Sequence, residues 1–368
     1  MSHSKKILFF ILIGFVFSNL FSYYNIKNFD LYENIDTDGE IRHSLLKGVN
    51  ANHWYKAKDI KDDLNNGKNY FETGGSNEQN YLPSRIILIY SLITGHDLFD
   101  ENDETLIVTD NKKIVFLFFQ TSLYFFLLIM LIFQLRSYLD SFTLFFLAAF
   151  LSIEPTIMQW HSSFWSESIF LSIQLLFFIF IIKKNKTLFG YLMIGIILGI
   201  MFLQRSAAFF YIIPLLIYFL ITLKNHKFKK ITAFVLGYLI IMTFIGYHNY
   251  KRVDLIYFTP LDQRIAINLY MLDTIVSESE NLTKEEAREK ISNDLNKWKI
   301  NNSVDLNTEK GKLKYFNYMK NHSYKILIKN PIITAKYIFK KNLHTAVLDP
   351  VYIYYFHEYE YEGISSYY

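Results

Sequence analysis

Seven apolar blocks, separated by short connections that collect lysine, constrain this chain more than anything else in it. They run Ile7 to Tyr23, Ile114 to Leu135, Phe142 to Ile153, Phe164 to Ile182, Leu188 to Leu203, Ala207 to Leu223 and Ile231 to Tyr247. Crossing the hydrocarbon of a bilayer takes about 20 apolar residues in a helix, and in lipid every backbone polar group has to be satisfied internally. The pattern therefore predicts an all-α integral membrane protein, a bundle of about seven transmembrane helices. The third block is too short to cross unless it tilts or is half buried in protein. Lys5 and Lys6 precede the first block as they would in a signal peptide, but only Phe21, Tyr23 and Tyr24 follow it, with no small-residue cleavage site. The block reads as a retained span.

Orientation follows from the loops, because lysine and arginine in short loops stay cytoplasmic. With the amino terminus inside, Arg136, the trio Lys183, Lys184 and Lys186, and the set Lys224, Lys227, Lys229 and Lys230 all lie on the inner side. Outside lie the long loop 25–113, tight turns near Glu154 to Ser163 and Gln204 to Ser206, and the tail. Two parts result: a membrane core over 1–250 and an extracytoplasmic helical tail over 251–368. The tail closes on the aromatic run Tyr352 to Tyr368, which leaves room for further spans in a longer parent chain. The reading is a multi-pass protein of the bacterial inner membrane.

The net charge of +4 largely reflects the inner lysines, which would face anionic headgroups; nucleic acid is not an expected partner. Cysteine is absent, which excludes disulfides, thiolate catalysis and thiolate metal sites. The abundance of Asn, Lys, Ile, Phe and Tyr resembles the codon bias of an AT-rich genome, so the aromatic content alone marks no binding surface.

Outside the blocks, short helices are expected over Glu40 to Lys47, over His53 to Asn66 closed by Gly67, and over Ser84 to Thr94 closed by Gly95, glycine supplying the left-handed stop. The last of these is apolar but too short to span, and would lie along the interface with Arg85 near its start. In the tail, Thr283 and Glu286 have capping-box spacing before a charged helix. Asn330 and Pro331 open another helix, whose Ile332, Ile333, Tyr337 and Ile338 should form one apolar face.

Ionisable residues next to hydrocarbon are costly, and each is a functional candidate by default. On the outer side these are Asp36, Asp38 and Glu40 after the first block, Glu154, His161 and Glu167 around the third and fourth, and Arg205 between the fifth and sixth. Each also has a plain structural reading. The loop acids can cap a helix, Glu154 and Glu167 can mark the water boundary, Arg205 can snorkel, and His161 can be an interfacial polar residue beside Trp160. Their gathering on one face is the informative feature.

These residues, in this order, resemble the C-type superfamily of polytopic membrane glycosyltransferases, in particular its protein O-mannosyltransferase and aminoarabinose-transferase-like branch. The resemblance spans residues 1–250. It is carried by Asp36-Thr37-Asp38-Gly39-Glu40 at the head of a long outer loop, by Tyr81-Leu82-Pro83-Ser84-Arg85, by Glu154-Pro155, by Ser166-Glu167-Ser168-Ile169-Phe170 and by Leu203-Gln204-Arg205. Two departures stand out. Arg42 occupies the place of the family's aromatic if Asp38 is the loop aspartate, and Ser206 replaces a proline after the turn arginine.

The resemblance implies a sugar donor on a polyprenyl phosphate, and transfer at the outer leaflet to a lipid, glycan or protein acceptor. Asp38, or else Asp36, would be the catalytic base that takes the acceptor proton, with inversion at the anomeric carbon. Arg205 first, and Arg85 second, would meet the charge gained by the leaving phosphate. Glu40, Glu154, Glu167 and His161 would hold sugar hydroxyls or orient the cation. No cofactor and no metal are predicted, although gathered carboxylates leave a divalent ion open. Three other classes compete. A transporter would need polar groups at mid-bilayer, where the blocks offer mainly Gln120 and Gln174; a polysaccharide ligase or acyltransferase would need a histidine such as His161; a non-catalytic assembly subunit needs neither.

Overall fold

The computed structural model describes residues 3–28, 34–35, 41–42, 48–73, 81–95, 110–162, 166–184, 186–258 and 272–347. It divides into two compact units, Met1–Pro260 and Leu261–Tyr368.

Among the described residues of the first unit, ten α-helices follow one another: α1 His3–Asn28, α2 Gly48–Asn65, α3 Tyr81–Thr94, α4 Asp110–Leu135, α5 Ser141–Ile153, α6 Pro155–Ser162, α7 Ser166–Ile182, α8 Leu188–Gln204, α9 Ile212–Thr222 and α10 Lys227–Val253. One turn of 3-10 helix stands at Tyr70–Glu72 and two turns at Ser206–Tyr211. Among the described residues three helices are long and apolar enough to cross a membrane, at Lys5–Tyr24, Ile114–Leu135 and Lys227–Val253. The other four blocks form shorter apolar helices. At 1.5 Å per residue, the 17-residue α7 and α8 reach only about 25 Å.

Local chemistry explains most boundaries. Asp140 starts α5 by accepting from the backbone N–H of Phe142 (2.9 Å) and Thr143 (3.0 Å), and Thr187 starts α8 through Gly190. Gly67 and Gly95 carry positive φ (80° and 65°) where α2 and α3 end, the conformation glycine adopts without a Cβ penalty. The expected span over Ala207 to Leu223 is interrupted: it begins as 3-10 helix and turns α-helical only at Ile212. Pro214 is the reason, since a proline ring excludes the carbonyl four residues back and fits only the first turn of an α-helix. The expected helix over Glu40 to Lys47 is also corrected. Ile41–Arg42 pairs as an antiparallel strand with Asn34–Ile35, Ile35 opposite Ile41, in keeping with the strand preference of β-branched isoleucine.

Three apolar clusters hold the described part of the unit together. One gathers α1, α4, α5, α6 and α7 around Leu128, Leu144 and Ala148; a second gathers α7 to α10 around Ile194, Leu198, Met201 and Phe234, with Tyr81 of α3; a smaller third joins α2, α3 and α4 through Ile60, Ile87 and Phe116. Between α8 and α10 the backbones nearly touch. A Cβ on Gly195 would meet Phe234 O at 2.0 Å, one on Gly237 would meet Leu192 O at 2.1 Å, and one on Gly199 would meet Ile241. Small residues at such seams let helix backbones approach in lipid, where no hydrophobic driving force draws helices together. Since Gly195 matches Phe234 and Tyr238 while Gly199 matches Ile241, the two helices run parallel. Away from the cores, Phe142, Phe146 and Phe150 form an outward stripe on α5, and Ile213, Ile217 and Ile221 one on α9. Contiguous apolar surface of this extent suits lipid rather than water.

The second unit is also helical, over 272–280, Lys284–Asn301, Glu309–Lys329 and Pro331–Val347. Thr283 and Glu286 form the expected capping box. Trp298 lies flat on Tyr318 (centroids 4.2 Å apart, 5° between planes), and Arg288 reaches Asp273 at 3.1 Å. The single apolar face expected after Pro331 is split. Ile333 and Tyr337 are half buried, Tyr337 meeting the Thr274 hydroxyl at 3.3 Å, whereas Ile332 and Ile338 are exposed. At 100° per residue, Ile332 and Ile333 already diverge by more than a quarter turn.

Candidate functional site

Pro155–Ser162 form a short helix, α6, where the sequence suggested a tight turn. Pro155 occupies the first position of α6, where its missing N–H removes nothing. The Glu154 carboxylate accepts from the backbone N–H of Ile157 at 2.7 Å, so this acid caps α6. At the far end of α6 the His161 side chain is fully buried against the rings of Tyr124 (4.5 Å) and Phe125 (5.9 Å). Its Nδ1 lies 2.8 Å from the Ser168 hydroxyl, and its carbonyl accepts from Gln120 Nε2 at 2.9 Å. Burial drives the imidazole pKa down to about 3, so the ring is neutral.

Ser168 and Glu167 are neighbours in the first turn of α7 and face different partners. Ser168 turns to His161; Glu167 pairs with the guanidinium of Arg205. Arg205 ends α8 in extended conformation (φ −149°, ψ 123°), which turns its side chain back across the bundle to α7. Tyr211 adds a second tie there, accepting from Gln174 Nε2 at 2.6 Å.

A second cluster stands at the start of α3. Arg85 is buried, its guanidinium 3.8 Å from the Tyr81 ring centroid. Nη1 donates to Tyr81 O at 3.1 Å and to Ser84 Oγ at 3.2 Å, whereas Nε and Nη2 have no partner. The Tyr81 hydroxyl lies 3.0 Å from that of Tyr70, and burial raises its pKa. His248 of α10 is fully buried, edge-on to Tyr81 (5.1 Å), Tyr70 (5.9 Å) and Phe71 (6.2 Å). Next to it Asn249 donates to Tyr257 O at 2.7 Å, and Arg252 donates to the Tyr257 hydroxyl.

Both clusters belong to one end of the bundle. Continuing the α8/α10 register by six residues from Gly199 brings Arg205 level with the turn of α10 that carries His248. Tyr81 packs in the same core as Leu203, Ala208 and Ile245, the first two flanking Arg205 in sequence. Of the residues singled out from sequence, Glu167 and Arg205 are in contact, His161 meets Ser168 next to Glu167, Glu154 caps the opposite end of α6, and Arg85 lies at the second cluster. Asp36, Asp38 and Glu40 lie outside the described residues. Sequence reasoning quoted Ser168 and Tyr81 within its motifs without giving them a role, and passed over His248. The signal available for His248 was a histidine four residues before Arg252 near the end of an apolar span.

Comparison with known proteins gives one match. No curated protein and no solved structure matched the chain. Residues 105–248, from just before α4 to His248, match the model of a protein family described as dolichyl-phosphate-mannose-protein mannosyltransferase. The matched stretch is less than half of the 368 residues and leaves Asp36, Asp38, Glu40, Tyr81 and Arg85 on its amino-terminal side. Over this stretch the chain carries the sequence pattern of a family of C-type membrane glycosyltransferases.

Proposed function

We propose that the protein transfers a sugar from a polyprenyl-phosphate donor to an acceptor at the outer leaflet of a bacterial inner membrane, with a cytoplasmic amino terminus and seven membrane segments. The acceptor oxygen or nitrogen attacks the anomeric carbon while the bond to the phosphate oxygen breaks, which inverts the centre. Asp38, or Asp36, takes the acceptor proton. The electron pair of the broken bond leaves on the phosphate, and preorganised cations lower the energy of that developing charge.

The observation that carries this reading is the guanidinium of Arg85, buried with two N–H-bearing nitrogens unengaged. A buried cation whose donors are only partly satisfied costs free energy, and an anion that docks against it recovers that cost. Arg205, the stronger candidate on sequence grounds, is partly neutralised by Glu167. Arg85 therefore takes the carrier phosphate, and Arg205 with Glu167 faces the sugar. The reaction needs no metal in this scheme, so chelator leaves the rate unchanged. A ligase with His161 as its histidine fits less well, because that imidazole is enclosed and held by Ser168.

The test is transfer by reconstituted protein supplied with polyprenyl-phosphate sugars and release of the polyprenyl phosphate. Asp38→Asn or Asp36→Asn should abolish release in a protein that still inserts and folds. Unchanged turnover in both variants excludes an aspartate base from this loop, and no turnover by the unmutated protein with any such donor overturns the reading.

A further inference from the structure

We infer that His248 is a second donor to the carrier phosphate, working beside Arg85; this rests on the transferase reading above. The imidazole has zero exposure, and among the described residues neither ring nitrogen meets a partner at full hydrogen-bond geometry, although the Asn249 side chain and the Tyr70 backbone stand close to it. The Asn249 amide nitrogen donates to Tyr257 O. An imidazole always has one N–H to give, and a donor left poorly satisfied in the interior is costly.

The unused donors are not scattered. Arg85 stacks on the face of the Tyr81 ring and His248 meets the same ring edge-on. The charges of Arg85 and Arg252 both reach His248, so the imidazole sits in a positive field, and a second cation there would be repelled. The Nε and Nη2 donors of Arg85 and the single N–H of His248, in a positive field and beside two tyrosine hydroxyls, match an oxygen-rich anion with several acceptor atoms. A phosphate monoester, the product left on the carrier, has that form.

His248 exchanges no proton in this scheme. The acceptor proton goes to the aspartate, the electron pair of the broken bond goes to the phosphate, and His248 keeps its hydrogen while donating. Because the phosphate is more negative after the bond breaks, the donor acts more strongly on the transition state than on the bound substrate. Entry requires the turn carrying Tyr70 and Phe71 to lift. That turn is held by an Asn69 cap and the Tyr70–Tyr81 contact.

The test uses the full chain in nanodiscs of neutral lipid, titrated with farnesyl phosphate, with inorganic phosphate and farnesol as separate arms. His248→Phe keeps the ring that packs on Tyr81, Tyr70 and Phe71 and removes the donor; His248→Gln removes the ring and keeps a donor. Farnesyl phosphate should bind His248→Phe about tenfold more weakly and His248→Gln within about threefold of the unmutated protein, farnesol binding being unchanged in both. In unmutated protein labelled with 15N-histidine, farnesyl phosphate should shift the His248 ring resonance; this readout does not depend on the variants folding. Unmutated affinity in His248→Phe, or a ring resonance that stays put at saturation, overturns the inference and leaves the transferase reading intact. Failure of the unmutated protein to bind farnesyl phosphate overturns both. Equal affinity for inorganic phosphate makes the site a free-phosphate site and also removes the carrier from the inference.

Discussion

Glu167 and Arg205 are 38 residues apart in sequence, yet their side chains form an ion pair between the first turn of α7 and the residue that caps α8. The two helices are joined at their other end by the short connection 183–187, so the pair closes the open end of a helical hairpin. With Arg205 partly exposed, the pair contributes little to stability, and its effect should be read in activity. Arg205→Ala should lower sugar transfer at least about tenfold while detergent-extracted yield is unchanged. The swap Glu167→Arg with Arg205→Glu should keep the fold and stay inactive; recovery of turnover in the swap would mean that only the pairing matters.

The glycine seam predicts a larger structural effect. Gly237→Leu puts side-chain atoms where Leu192 O stands 2.1 Å from a built Cβ, and α8 and α10 cannot both keep their places. We expect a loss of about 3 kcal/mol or more and polydisperse material in size-exclusion chromatography, overpacking of this kind being a backbone clash and not a rotamer adjustment. Gly190→Ala, whose Cβ would meet only Lys186 Cβ at 3.4 Å, should be tolerated.

Burial of His161 makes stability depend on pH. The folded-state value, about 3, lies below the 6.5 of an unfolded histidine, so the unfolded chain binds a proton that the folded one refuses. The contribution is fully present above about 6.5 and is lost as pH falls from there toward 3. Thermal unfolding of the purified protein at pH 7.5 and pH 5 should show a drop that His161→Phe reduces. An equal drop in the variant would assign the acid sensitivity elsewhere.

Glu154 should behave as a cap. Glu154→Ala removes the acceptor for the Ile157 N–H and should cost about 1 kcal/mol in denaturant melts, whereas Glu154→Gln should cost about half of that or less. A loss of turnover in Glu154→Gln without a loss of stability would instead give the carboxylate a part in the chemistry.

Much of the membrane part was legible because the constraint there is severe. Apolar blocks in lipid have to be helical, and the expected limits of the first, second and fifth blocks differ from α1, α4 and α8 by only a few residues. What composition could not show was geometry inside a block. Pro214 shortens α9 from within an unbroken apolar run, and Pro155 with Glu154 makes a helix where a turn was expected. In the site, charge flagged Glu167 and Arg205, because ionisable groups stand out against hydrocarbon. Tyr81 was given no role and His248 was not singled out, for the opposite reason: aromatics are everywhere in this chain, and a buried histidine is conspicuous only once its neighbours are known.

The close contact of α8 and α10 has a mechanical consequence. Helices seated backbone on backbone cannot roll or slide past one another without breaking the seam, so the ends that bear Arg205 and His248 behave as a single fixed anvil. Any opening of this end has to come from its other wall, which among the described residues is formed by the Tyr70–Glu72 turn and the start of α3.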